Sequence, residues 1–103
     1  MNRVQNINDH INPKIHPHEV YKHNMEKDCW VIIHDKVYDL TEFLKDHPGG
    51  KQAILLFAGK DATEEFDMLH PPSVLRPGKY IPSERVMGTV LKWSIFITID
   101  MNV

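Results

Sequence analysis

The sequence predicts a small α+β domain, a short mixed sheet whose helices gather in one stretch between the strands. Three observations point there. Two apolar runs, 29–33 and 37–40, are separated only by His34-Asp35-Lys36, the pattern of two strands joined by a tight turn. Between residues 41 and 70 the punctuation changes to helix caps and helix stops, Thr41, Gly59, Asp61 and Pro71 among them. The length of 103 residues, 42% hydrophobic and 25% charged, suits one ordinary globular core and leaves no room for a second.

The elements follow in order. Residues 1–14 read as a polar arm; the first ten hold Asn2, Asn6 and Asn8 and lack the apolar centre of a secretory signal. Pro17, at a first helical position where no hydrogen bond is lost, opens a helix that stops near His23-Asn24. Residues 29–33 and 37–40 are the first strands. Thr41 is expected to cap a short helix through Leu44 that ends at His47-Pro48-Gly49-Gly50. Residues 52–58 are helical, with Gly59 as the C-terminal stop. Asp61-Ala62-Thr63-Glu64 has the form of a capping box for a helix reaching Leu69, which His70-Pro71-Pro72 ends. Pro77-Gly78 marks another turn, and Val86 to Val90 a last strand. The domain therefore spans 15–90.

The tail, 91–103, is apolar at Leu91, Trp93, Ile95, Ile97, Ile99, Met101 and Val103. That is the period of a strand with one buried face. It carries Lys92 and Asp100 and falls short of the roughly 20 apolar residues of a membrane span. Either this domain or a longer chain must cover it, and its role stays open.

A formal net charge of -2 argues against a general nucleic-acid binder. The single cysteine, Cys29, rules out an internal disulfide and suits a reducing compartment; the expected location is intracellular, cytoplasmic or in the mitochondrial intermembrane space. Seven histidines in 103 residues call for metal or cofactor hypotheses. His10, His16, His18, His23 and His34 lie in polar stretches, where solvated or hydrogen-bonded roles are the rule. His16-Pro17-His18 lacks the further ligands of a metal site. His47 and His70 differ. Each precedes a proline at the end of a helical segment, and the helices between them, 52–58 and 62–69, form a hairpin about Gly59-Lys60. Such a hairpin opens as a wedge with one imidazole on each wall. Leu40, Phe43, Leu44, Ile54, Leu55, Phe57, Phe66, Met68 and Leu69 make those walls apolar. This arrangement suits a flat macrocycle with a metal at its centre, a haem.

The motifs are specific. Asp28-Cys29-Trp30-Val31-Ile32-Ile33, the run from Lys36 through Tyr38-Asp39-Leu40-Thr41 to Leu44, His47-Pro48-Gly49-Gly50, the run from Ala58 to Phe66, and Leu69-His70 together resemble the cytochrome b5-like haem domain. The resemblance covers residues 15 to 90. It implies a non-covalent b-type haem (iron protoporphyrin IX) with His47 and His70 as iron ligands. It implies Leu40, Phe43, Ile54 and Phe66 as pocket residues, Ile33 at the floor, and Trp30 in a second core. The chain has no Cys-x-x-Cys-His, so covalent attachment is excluded. Phe66 to His70 is one residue shorter than in microsomal cytochromes and is similar to the haem domain of flavocytochrome L-lactate dehydrogenases. Pro71 stands where microsomal members have a serine able to bond a haem propionate, and Tyr80 is the expected substitute donor.

Two axial imidazoles leave no site for oxygen or substrate, so the expected role is a single-electron carrier and not, by itself, an enzyme. The expected partners are a reductase, a c-type cytochrome or a flavin domain. From Asp39 to Asp67, seven acids face three lysines, a net of -4 that leaves +2 on the rest; such an acidic rim would steer a basic partner. The alternatives are the haem module of a larger 2-hydroxy-acid oxidoreductase, or a haem-free binding module on the same fold.

Overall fold

The computed structural model describes residues 13–75 and 85–91. Five strands form one mixed sheet: β1 (Lys14–Ile15), β2 (Asn24–Met25), β3 (Asp28–Ile33), β4 (Lys36–Asp39) and β5 (Val86–Val90), in the order β1-β5-β4-β3-β2. β1 runs parallel to β5 and the other pairs are antiparallel. The sheet takes in Lys14, which pairs with Thr89, so strand structure starts inside the stretch read as the polar arm.

His34 and Asp35 alone make the β3–β4 turn, both at positive φ (51° and 68°), the conformation that matches the twist of a two-residue hairpin. Lys36 is already in β4. The period of 2 in β3 then sorts side chains to two faces. Cys29, Val31 and Ile33 join Tyr38, Leu40, Leu44, Ala58 and Ala62 in one core. Ile32 and Trp30 join Val20, Val37 and Val90 in the other. Burial, with the Asp39 and Asp28 carboxylates adding to it, pushes the Cys29 thiol up to about 11. Cys29 is thus a small core residue and not a reactive thiolate.

Helix α1 (Pro17–Tyr21) starts on Pro17, with the His16 ring accepting the His18 N–H at 3.0 Å. It ends before His23-Asn24 because Asn24 is drawn into β2 against Cys29. Three expectations between the strands are corrected. Thr41 caps no helix. Its Oγ1 accepts from the Cys29 N–H (2.9 Å) and donates to Asp39 Oδ1 (2.7 Å), tying the end of β4 back to β3. The chain then passes through a turn into a short 3₁₀ segment, Leu44–Asp46, without a side-chain cap.

Helix α2 is Lys51–Leu55, shorter than 52–58. The chain from Leu56 tightens into turns because the Gly59 N–H is taken by the Trp30 carbonyl at 2.6 Å, not by a helical carbonyl. Gly59 has φ 78°, and a Cβ there would lie 2.9 Å from both Tyr21 O and Asn24 Cβ. Helix α3 (Thr63–Leu69) has Ala62 at its N-cap with no side-chain cap bond, so the expected capping box at Asp61 does not form, and Asp61 Oδ1 instead accepts the Thr63 N–H at 2.8 Å. Thr63 Oγ1, however, turns away to accept from the His34 N–H. The start of α3 is pinned to β3 by Ile32 N–H to Lys60 O (2.9 Å) and Ala62 N–H to Ile32 O (2.8 Å).

A second 3₁₀ segment, Pro72–Leu75, comes after the break at His70-Pro71. The Pro77-Gly78 turn, Tyr80 and the tail beyond Leu91 lie outside the described residues. Among the described residues no helix is long and apolar enough to cross a membrane.

Candidate functional site

His47 sits where the Leu44–Asp46 segment gives way to Pro48, in extended backbone (φ -69°, ψ 121°). The Gly50 N–H bonds back to its carbonyl at 2.9 Å, closing a tight turn under the ring. In the same turn the Gly50 carbonyl lies 2.7 Å from His47 Nδ1. A carbonyl only accepts, so Nδ1 carries the hydrogen and Nε2 keeps its lone pair for a metal. A Cβ on Gly49 would come to 2.9 Å of His47 Cε1, so a side chain there would push on the imidazole. The Phe43 ring stands edge-on to the imidazole, centroids 5.8 Å apart.

His70 leaves the end of α3 in extended backbone, as a residue before proline does, with its N–H on the Phe66 carbonyl at 2.8 Å. Its ring stacks on Phe66 at 4.8 Å and 19°. Its Nδ1 is buried and has no hydrogen-bond partner among the described residues.

The two imidazoles come together with ring centroids 6.1 Å apart and planes tilted by 46°. Two metal–imidazole bonds of about 2 Å, plus about 1 Å from each ring nitrogen to its centroid, span about 6 Å. Among the described residues no group of three or more His, Cys, Asp or Glu could hold a metal ion. Two imidazoles with no third protein donor suit a metal whose other positions are filled by the cofactor's own ring. The residues therefore fit a haem.

The surroundings are apolar. Ile33 and Leu40 are each 4% exposed in the first core, and Phe43, Ile54, Leu55, Phe57 and Phe66 pack half-buried against it. Two residues read as walls stand apart: Met68 and Leu69 are 77% and 74% exposed, beside His70. Leu56, at 71%, is a third exposed apolar side chain that the sequence reading did not single out. The Gly50 carbonyl was also missed, since a backbone acceptor leaves no mark in residue identity. A cleft of about 540 Å³ lined by Pro17, Tyr21, Ile32, Lys60 and Leu91 lies by the second core and includes neither histidine.

The other described histidines have local work. His16 caps α1. His34 Nε2 meets Asp67 Oδ1 at 2.7 Å. His23 bonds Asp28 (2.7 Å) and Glu19 (2.9 Å) and stacks on Trp30 at 3.6 Å. Burial opposes the charged form of His23, but the two carboxylates outweigh it and raise its pKa.

A small α+β domain with two imidazoles brought together between apolar segments defines a haem-binding class of protein, and the comparisons with known proteins agree. Residues 16–91 match the family model described as cytochrome b5-like Heme/Steroid binding domain. The chain is 53% identical over 75 residues to the L-lactate dehydrogenase (cytochrome) of Saccharomyces cerevisiae, a stretch that is 73% of this chain and 12% of that protein. Over 52 residues it is 60% identical to the NADH nitrate reductase of Cucurbita maxima, covering 50% of this chain and 6% of the relative. Among solved structures it resembles cytochrome b5 of Ostreococcus tauri virus 2 (67% identity, TM-score 0.71, 77% of this chain and 98% of that one). It also resembles cytochrome b558 of Ectothiorhodospira vacuolata (31%, TM-score 0.57, 71% and 91%). The chain belongs to the cytochrome b5-like family, whose members bind haem b and carry electrons. It spans about an eighth of the lactate dehydrogenases it matches.

Proposed function

We propose that the chain holds one haem b between His47 and His70 and passes single electrons between redox partners. The observation that carries this reading is the 6.1 Å approach of the two rings, with His47 Nδ1–H committed to the Gly50 carbonyl. When bound, the haem supplies one-electron exchange between ferric and ferrous iron. The chain's own residues do the rest. Gly50 O fixes the tautomer and aim of His47, Phe66 holds the plane of His70, and Ile33, Leu40, Phe43 and Ile54 exclude water. That apolar setting disfavours the more highly charged ferric state. Tyr80 is the proposed donor to a propionate. With His47 and His70 both committed to the iron, the haem would serve electron exchange, and the proposed role of the module by itself is that of a carrier.

The acidic segment is the proposed docking rim for a reductase, a c-type cytochrome or a flavin domain. Asp39 already meets Arg85 (3.7 Å), Asp61 accepts the Thr63 N–H and Asp67 meets His34. Glu64 and Glu65, in the first turn of the helix that ends at His70, are the rim acids on which docking is proposed to rest.

A second reading, the haem module of a larger oxidoreductase, is favoured by the 75-residue match to one eighth of a lactate dehydrogenase. The free-standing reading is favoured by the viral cytochrome b5, matched over 98% of its length. The visible spectrum of haem-reconstituted chain tests the shared core of both. A sharp ferric Soret band, split narrow bands on dithionite reduction and no response to carbon monoxide are expected. A spectrum that shifts with carbon monoxide means an open iron site and overturns the two-ligand reading. No haem uptake leaves the haem-free binding module.

A further inference from the structure

We propose that His34 is a positioning residue: from the β3–β4 turn it clasps helix α3 and so holds the His70 ring in place. The proposal rests on the haem reading above. His34 reaches α3 twice, its backbone N–H donating to Thr63 Oγ1 at 2.9 Å and its Nε2 meeting Asp67 Oδ1 at 2.7 Å. A carboxylate only accepts, so Nε2 carries the hydrogen of that bond. Thr63, Asp67 and His70 follow one another at four and three residues, along one side of the helix. The backbone ties from α3 to the sheet, through Ala62 and Ile32, lie at the start of the helix. The Asp67 contact adds a tie one turn before His70.

Two local features run against ordinary preference and agree with this role. Asp is a poor helix former, and a carboxylate in the last turn of α3 faces the negative end of the helix dipole. His34 adopts φ 51°, uncommon for a residue with a side chain, and this conformation belongs to the turn that carries both of its contacts to α3. A residue that helix preference disfavours is thus met by one that the hairpin turn presents. The clasp spans 33 residues of chain and bears on the wall that ends in the second candidate ligand.

The test uses the full chain loaded with haem, comparing the parent with Asp67→Ala, His34→Ala and His34→Gln. Haem release to excess apomyoglobin and the low-spin electron paramagnetic resonance of the ferric form are read. Asp67→Ala should speed release about three- to tenfold, the size of one solvent-exposed hydrogen bond, and should shift the resonance. Helix propensity alone predicts the opposite, because alanine strengthens α3. His34→Gln keeps an N–H within reach of Asp67 and should stay within about twofold of the parent, whereas His34→Ala should behave as Asp67→Ala. Unchanged release and resonance in Asp67→Ala overturn the clasp. If the parent takes up no haem, the haem reading fails by itself. The clasp is then decided by amide exchange in α3, where equal protection in parent and Asp67→Ala overturns it.

Discussion

His23 and His47 lie on opposite faces of the same sheet and show what separates a structural histidine from a ligand. His23 is saturated: both ring nitrogens meet carboxylates, and its face is covered by Trp30 at 3.6 Å. His47 spends one nitrogen on the Gly50 carbonyl and turns its ring toward His70, whose own Nδ1 has no partner among the described residues. A histidine serving the fold gathers partners until nothing is left over. A histidine serving a ligand is fixed through one nitrogen and kept unfinished at the other. The two sides differ accordingly: Trp30 packs on the second core beside His23, while Met68 and Leu69 next to His70 stand exposed.

The largest expected effect separates them outright. His47→Ala or His70→Ala should abolish the low-spin two-imidazole spectrum, leaving five-coordinate haem or none. His23→Ala should leave that spectrum unchanged. An intact low-spin spectrum in His70→Ala removes His70 from the ligand set.

Two glycines sharpen the contrast. Gly59→Ala adds a Cβ 2.9 Å from the Tyr21 carbonyl at φ 78°, a clash with strain that should cost about 2–4 kcal/mol of stability. Haem spectra of the folded fraction should not change. Gly49→Ala instead presses on His47 Cε1 at 2.9 Å. It should weaken haem binding about tenfold or more, roughly 1.4 kcal/mol, while the urea midpoint of the haem-free chain moves little. If both variants lose stability alike and haem affinity alike, the two faces are not separate in function.

The same contrast marks what the sequence could and could not disclose. The strands β3, β4 and β5 were legible, because a period of 2 with a charged boundary is a local signal. So were the proline starts and stops around His16, His47 and His70. The length of α2 was not: it is set by the Gly59 N–H reaching Trp30, far away in sequence, and no helix signal encodes that bond. Thr41 has the right chemistry for a cap, and Cys29 claimed it first. At the site, residue types suggested His47, His70 and the apolar walls, while the Gly50 acceptor and the His34 clasp needed coordinates. Both depend on where a backbone atom points.

A smaller effect comes from pH. The folded-state pKa of His23 is raised above the ordinary 6.5, so its contribution to stability is full below about pH 6.5 and is lost as pH rises through the folded value. Glu19, bonded to His23, is lowered from 4.5, so its share is present above that value and lost as pH falls. The urea midpoint of the full chain should therefore decline as pH rises from about 6 through the folded-state value of His23, by a small amount because the partner carboxylates are exposed to solvent screening. His23→Gln should flatten that decline. An equal slope in the variant assigns the effect to another group.

The smallest effect falls on docking, where the open face should behave unlike the closed one in a salt-dependent way. Glu64 and Glu65 begin the helix that ends at His70, so charge there sits on the wall of the site and not across the sheet from it. Exposed charges act over about 10 Å at 0.1 M salt and less above it, so they steer encounter more than they hold a complex. Glu64→Gln with Glu65→Gln should slow reduction of cytochrome c about two- to fivefold at low ionic strength and leave the rate at high salt unchanged. The slope of rate against ionic strength should flatten with it. Neutralising Glu26, which meets Lys51 at 2.6 Å, removes the same sign of charge from a residue already paired and should do less. Equal slopes in all three proteins would mean that partners approach by another surface, and that the acids of α3 serve its helix dipole alone.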